Sequence, residues 1–206
     1  MGNDCEDEKA VGVKQENGST TINQGPGDDA ALVVCSIFCF HGNTTVEVLE
    51  EKKLKKKQIS EVRKGDLVLT YNGKEEILTK VKENIENKGL FLFYEIKCKD
   101  ENSNIKSICV TWNHTMIIYG KSKYEITFKY ASQVKLGDLF RTKYGFFEVF
   151  EINKKMMNDC YEMTVENGTV LANDILLTTI YLNRNNSNKN YRKILESAKI
   201  PIEYLN

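Results

Sequence analysis

Cys39 and His114 stand in settings where a thiol and an imidazole can do chemistry. Cys39 opens the stretch Cys39-Phe40-His41-Gly42-Asn43-Thr44-Thr45-Val46-Glu47-Val48. Thr44 to Val48 has the β-branched content of a strand. Gly42-Asn43 before it reads as a turn, because both residues tolerate positive φ. A thiol held on such a turn faces its own preceding amide, Phe38–Cys39. Attack on the Phe38 carbonyl exchanges that amide for a thioester. The amine is a poor leaving group and the thiol is mostly protonated at neutral pH, so the reaction needs help. It requires a proton donor for the amine and hydrogen-bond donors for the oxyanion.

The stretch Val110-Thr111-Trp112-Asn113-His114 supplies candidates for that help. It ends a predicted strand and turns. An imidazole titrates near neutrality and can give a proton to the departing Cys39 amine. Thr111, three residues earlier, can hydrogen-bond the scissile carbonyl or orient the histidine. His41 invites a role as a second base beside Cys39, but a partly exposed turn histidine is the preferred reading. Cys35 reads either as an acyl acceptor or as a core residue, with the core reading preferred. The six cysteines (5, 35, 39, 98, 109 and 160) form no Cys-x-x-Cys pair and the two histidines lie far apart, so neither a metal site nor a cofactor is expected.

The elements that must position these groups read as β. Residues 1 to about 30 are polar and lack apolar periodicity, which predicts disorder. Ala31 to Phe40 is a short apolar run, predicted as one buried strand that delivers Phe38 and Cys39 to the interior. The charged run Glu50–Lys57 is read as a solvated hairpin tip, since no aromatic residues interleave with its lysines. Lys64-Gly65-Asp66 predicts a turn into a strand, and Asn72-Gly73 a hairpin. Further strands are expected at Glu76–Lys82, Leu90–Lys97 and Ile105–Val110. The last two form a hairpin that brings Cys98 near Cys109 as packed thiols. The second half repeats the first: Val134-Lys135-Leu136-Gly137-Asp138-Leu139 echoes Val62-Arg63-Lys64-Gly65-Asp66-Leu67. Thr142, Gly145, Glu148-Val149 and Tyr161-Glu162-Met163 then echo Thr70, Gly73, Glu76-Ile77 and Tyr94-Glu95-Ile96. This ordered series predicts an all-β fold with internal pseudo-two-fold duplication. Asn183–Asn190 reads as a polar linker and Tyr191–Lys199 as a short helix stopped before Pro201.

Composition narrows the function. Lys+Arg and Asp+Glu are both 29, so no global basic field points to nucleic acid. No apolar run is long enough for a transmembrane helix, and the polar N-terminus is no secretory signal, so the chain as written is expected in the cytoplasm. Met1-Gly2-Asn3 with Cys5 matches an N-terminal lipidation pattern at Gly2 only in part, because Glu6 stands where Ser or Thr is wanted.

These motifs together resemble the Hedgehog/intein (Hint) autoprocessing family. Cys39-Phe40-x-Gly42-x-Thr44-x-Val46 looks like its opening cysteine block. Ile59-x-Glu61-x-Arg63-x-Gly65-Asp66-x-Val68-Leu69 is similar to its second signature, and Thr111-x-x-His114 to its Thr-x-x-His block. Tyr161 through Gly168-Thr169-Val170 to Asp174-Ile175-Leu176 looks like the closing block. The resemblance covers about residues 39–181. It implies a flat, horseshoe-like all-β fold with Cys39 near its centre and an N-to-S acyl shift there, with Cys39, Thr111 and His114 catalytic. Thr179, His41 and Asp174 are accessory candidates. The departures are equally plain. No His-Asn closes the last strand, so full splicing is not expected. Thr179 occupies the place where Hedgehog domains carry a cysteine, and a hydroxyl is a far worse nucleophile for thioester exchange. Asn87–Phe93 offers no sterol-activating acid, and the 25 residues after Tyr181 are too few for sterol recognition, so cholesterol transfer is not expected.

The expected organisation is a disordered flank at 1–38, a Hint-like domain at 39–181 and a linker with a short helix at 182–206. The expected activity is self-cleavage of Phe38–Cys39 through a thioester, resolved by water or a small external nucleophile such as a thiol. The domain is expected to be monomeric, with its own N-terminal flank as substrate. The competing reading is a non-catalytic interaction module on a degenerate form of the same fold.

Overall fold

The structure, a computed structural model, describes residues 13–16, 19–22 and 32–35 as backbone, and residues 38–121 and 125–180 in full. The side chains of Cys5 and Cys35, the lipidation pattern at Gly2 and the expected C-terminal linker and helix lie outside the described residues. Where a disordered flank is expected, three short strands form an antiparallel sheet: β1 (Val13–Glu16), β2 (Ser19–Ile22) and β3 (Leu32–Cys35). The two residues between β1 and β2 are Asn17-Gly18, a strong two-residue hairpin dipeptide that the polar composition obscures. The apolar run from Ala31 is also two strands, since β4 (Phe40–His41) belongs to the second sheet.

That second sheet holds twelve antiparallel strands, β4 to β15. Its first half runs β5 (Thr45–Glu50), β6 (Lys53–Gln58), a single 3-10 turn at Ile59–Glu61, β7 (Leu67–Tyr71) and β8 (Glu76–Lys99). Its second half starts from β9 (Ile105–Thr111) and runs β10 (Thr115–Tyr119), β11 (Ile126–Tyr130), a 3-10 turn at Ala131–Gln133, β12 (Leu139–Thr142) and β13 (Gly145–Val165). A closing hairpin of β14 (Thr169–Ala172) and β15 (Ile175–Thr178) completes it. The lysine run is mostly strand: the tip is Glu51-Lys52, both at positive φ, and β6 pairs only with β5. Lysines on such an edge oppose pairing with another chain.

The two halves match bond for bond. Gly65 and Gly137 sit at φ +96° and +86°, where a side chain is strained. Gly65 donates to Val81 O and Gly137 to Val149 O, each at 2.8 Å. Asp66 Oδ2 accepts from Arg63 N and Asp138 Oδ2 from Lys135 N, each at 2.9 Å. Tyr94 opposes Val110 as Tyr161 opposes Phe40, so that echo is structural. The echo of Glu76-Ile77 in Glu148-Val149 is not. Leu67 opposes Lys80 while Leu139 opposes Glu148, so the second hairpin is four residues shorter and Val149 is the counterpart of Val81. Cys98 and Cys109 also part company: they oppose Lys106 and Glu95, three positions apart on the ladder, and so face opposite sides of the sheet. The main core, with Phe40, Val48, Ile96, Val110, Met116 and Phe140, lies on the Cys98 side.

Candidate functional site

Cys39 and His114 lie on two turns that are counterparts of each other. Thr44 N donates to His41 O at 2.9 Å, closing the turn His41–Thr44, and His114 N donates to Thr111 O at 2.9 Å, closing the turn Thr111–His114. Each turn then receives the following 3-10 turn in the same way: Ile59 N donates to Thr44 O and Ala131 N to His114 O. The strands leading into the turns, β4 and β9, pair directly through Phe40 and Val110. The site therefore sits on the pseudo-two-fold axis, and each half contributes one turn to it. Gly42-Asn43 forms the turn expected of it, with neither residue at positive φ. Gly42 is needed for another reason: a Cβ there meets the Tyr161 ring at 2.9 Å.

This arrangement ties Thr111 to the junction at Cys39 from both sides. Cys39 N donates to Thr111 Oγ1 at 2.9 Å, and Thr111 N donates to Cys39 O at 3.0 Å. The sequence gives Thr111 the scissile carbonyl or the histidine as partner; the bond observed at its hydroxyl is to the nitrogen of the junction. A hydroxyl at this distance from a leaving nitrogen is within proton-transfer reach.

His114 is wholly buried, as is Cys39. Its ring meets Phe40 edge-on at 4.6 Å between centroids and Phe38 at 6.0 Å, so it packs against both residues flanking Cys39. Among the described residues neither ring nitrogen has a hydrogen-bond partner, and Cys39 N is bonded to Thr111, not to the imidazole as the sequence suggested. Burial pushes the imidazole down to about 3. The Thr178 backbone acts against that shift, although it lies outside hydrogen-bonding geometry of either nitrogen. His114 is therefore neutral at pH 7, with one ring nitrogen an N–H donor and the other an acceptor.

The accessory candidates are placed differently. His41 is half-buried, its Nδ1 accepts from Asn43 N at 3.3 Å, and its ring meets Phe93 edge-on. In the neutral ring that leaves the proton on Nε2, and the remaining lone pair is turned to the backbone of its own turn. Thr179 is buried and its Oγ1 accepts from Val165 N at 3.3 Å, which joins the end of β15 to the end of β13. Asp174 lies at the β14–β15 turn, where Oδ2 accepts from Lys106 Nζ at 2.7 Å and Lys56 Nζ at 3.3 Å. Lys106 is five residues before Thr111 on β9, roughly 16 Å along the strand, so Asp174 belongs to the frame and not to the junction.

Two neighbours of Cys39 escape a reading of the sequence. On β13, Cys160 opposes His41 and Tyr161 opposes Phe40, so Glu162 stands one step further along, level with Cys39. Burial, with the negative charge of Glu83, holds the Glu162 carboxyl above the usual range. Cys160 shares a buried cluster with Cys39, Phe91 and Phe93, flanked by Cys109 and Met157. The signal for both was available only through the match of Tyr161 to Tyr94, which fixes the register. Among the described residues no group of His, Cys, Asp and Glu is arranged to hold a metal ion.

No family model and no curated protein matches the chain. Solved structures do. An intein-like domain from the bacterium Clostridium thermocellum is 18% identical, with 69% of this chain and 99% of that one covered at a TM-score of 0.55. An intein from a hyperthermophile is 15% identical, covering 68% and 99% at a TM-score of 0.57. A DnaB intein from Synechocystis is 16% identical, covering 68% and 97% at 0.55. The chain thus has the all-β fold of inteins and bacterial intein-like domains over about two thirds of its length.

Proposed function

We propose that the domain cleaves its own Phe38–Cys39 bond through an N-to-S acyl shift. The observation that carries this reading is the bond from Cys39 N to Thr111 Oγ1 at 2.9 Å, in a buried site with His114 packed on Phe38 and Phe40. In the proposed reaction the Cys39 sulfur attacks the Phe38 carbonyl carbon, and the C–N bond breaks as the nitrogen takes up a proton. Thr111 is the hydroxyl in contact with that nitrogen. A threonine hydroxyl is too weak an acid to act unaided, so the proton it gives to nitrogen is replaced by one from the His114 imidazole, which takes up the proton that the Cys39 thiol loses on attack. Water or a small thiol then resolves the thioester. Residues 39–181 are the processing unit in this reading, and the segment ending at Phe38 is its substrate. The test is the intact mass of the purified chain at neutral pH, with and without dithiothreitol. A fragment beginning at Cys39 that accumulates faster with the thiol supports the reading.

One observation favours the second reading, a binding module that retains an idle Cys39. His114 is deeply neutral and bonded to nothing at the junction. A chain that stays intact under every nucleophile is the outcome expected of it.

A further inference from the structure

We propose that Cys160 is a second nucleophile, which takes the acyl group from Cys39 and so makes the first step productive. This inference rests on the cleavage reading above and names the group that traps its intermediate.

The sheet register brings the two thiols to one face. Cys160 opposes His41 directly, and His41 is two residues from Cys39, so the three side chains point the same way. Cys39 and Cys160 are both wholly buried and belong to the same small cluster with Phe91 and Phe93. Diagonal neighbours on an antiparallel pair have Cα atoms about 7–8 Å apart, within reach of extended side chains. That is at or beyond the limit for an unstrained disulfide, so a direct S–S bond is not the use this geometry suggests. An acyl group changes the reach. In the amide, the Phe38 carbonyl carbon belongs to the backbone. After the N-to-S shift it is bonded to Cys39 Sγ, at the tip of the side chain that enters the cluster.

There the Cys160 sulfur attacks the thioester carbonyl. A C–S bond to Cys160 forms, the C–S bond to Cys39 breaks, and the thiol proton of Cys160 passes to the Cys39 sulfur. No oxidant or cofactor is needed, and one thioester replaces another. The gain is kinetic. On Cys39 the acyl group sits beside the α-amine it has just left, and return to the amide is easy. The nitrogen of Cys160 is a peptide nitrogen within β13 and cannot take the acyl group back. Cys109 flanks the same cluster, but it faces Glu95 across the ladder, and burial and that carboxylate raise its thiol. It serves as the control.

The experiment is peptide mapping of the full chain after acid quench, with peptic digestion at acid pH, where thioesters persist. The expected result in wild type is the segment ending at Phe38 attached to the Cys160 peptide. Cys160→Ala should confine it to Cys39 and lower the accumulated thioester about tenfold, while Cys109→Ala changes neither. Cys160→Ser retains the shape and tests whether a loss reflects packing: a loss equal to that of alanine, in a variant with wild-type melting, supports a role for the thiol itself. If hydroxylamine releases the segment but mapping finds it on Cys39 only, with Cys160→Ala cleaving like wild type, the relay is wrong and cleavage stands. If hydroxylamine releases nothing from any variant, both the relay and the cleavage reading fail.

Discussion

At the scale of single residues, the proposed reaction turns on a histidine that burial keeps neutral at rest. The ordinary imidazole value of 6.5 applies to the unfolded chain, while burial lowers His114 to about 3 in the fold. Between those values the unfolded state binds more protons, so stability is full above about pH 6.5 and is lost as pH falls toward 3. Melting temperatures in wild type should therefore drop as pH is lowered from about 7 to about 4, and less steeply in His114→Gln. A parallel pair of curves contradicts the burial of His114. The same residue should matter to the reaction: His114→Ala should slow cleavage by about 10²–10⁴-fold, the usual worth of a positioned acid–base group. Thr111→Val should cost less in rate, yet it removes the hydroxyl that accepts from the buried Cys39 N–H, at about 1–3 kcal/mol. Thr111→Ser should restore both, as read by rate and by denaturation midpoint.

At the scale of elements, two turns set the frame. Tyr161 packs on Gly42 and donates through its hydroxyl to Glu86 Oε1 at 2.7 Å, so one side chain ties β13 and β8 to the turn after Cys39. Gly42→Ala forces that ring aside and should destabilise by about 1–3 kcal/mol, as overpacking does. Tyr161→Leu should absorb most of that cost and Tyr161→Phe almost none, a difference that a double-mutant cycle of denaturation midpoints measures. The closing hairpin is the other fixed point. Asn173 and Asp174 both take positive φ, as a two-residue primed turn requires. Asn173 Oδ1 accepts from Thr45 N at 2.7 Å, and Asp174 holds Lys106 and Lys56. Asp174→Ala should lower the melting temperature and leave the cleavage rate within about twofold, since the carboxylate acts through two lysines of the frame. A rate loss without a stability loss returns it to the reaction.

At the scale of the whole molecule, the duplication was legible and its consequence was not. Gly65-Asp66 and Gly137-Asp138 show in the sequence because each turn demands a glycine at positive φ and a carboxylate to accept a backbone N–H. The hairpins after them differ by four residues, and aligning them on glycines shifts the register by that amount. The equivalence of His41-Gly42-Asn43-Thr44 with Thr111-Trp112-Asn113-His114 leaves only the asparagine in common, because turn geometry is held there by backbone bonds that many residues permit. The position of the site on the axis, the burial of His114 and the approach of Cys160 and Glu162 all follow from that equivalence, and so needed three dimensions. Cys39, Thr111 and His114 stand out in the sequence as residue types that suit one reaction, and the fold brings the three together.

The measurement that tests this reaction most directly is a time course of intact mass in hydroxylamine at neutral pH, for wild type and Cys39→Ala side by side. Wild type should release a fragment whose C-terminal Phe38 carries a hydroxamate, while Cys39→Ala stays whole. Wild type remaining as intact as Cys39→Ala contradicts it, and leaves a binding module on an intein fold.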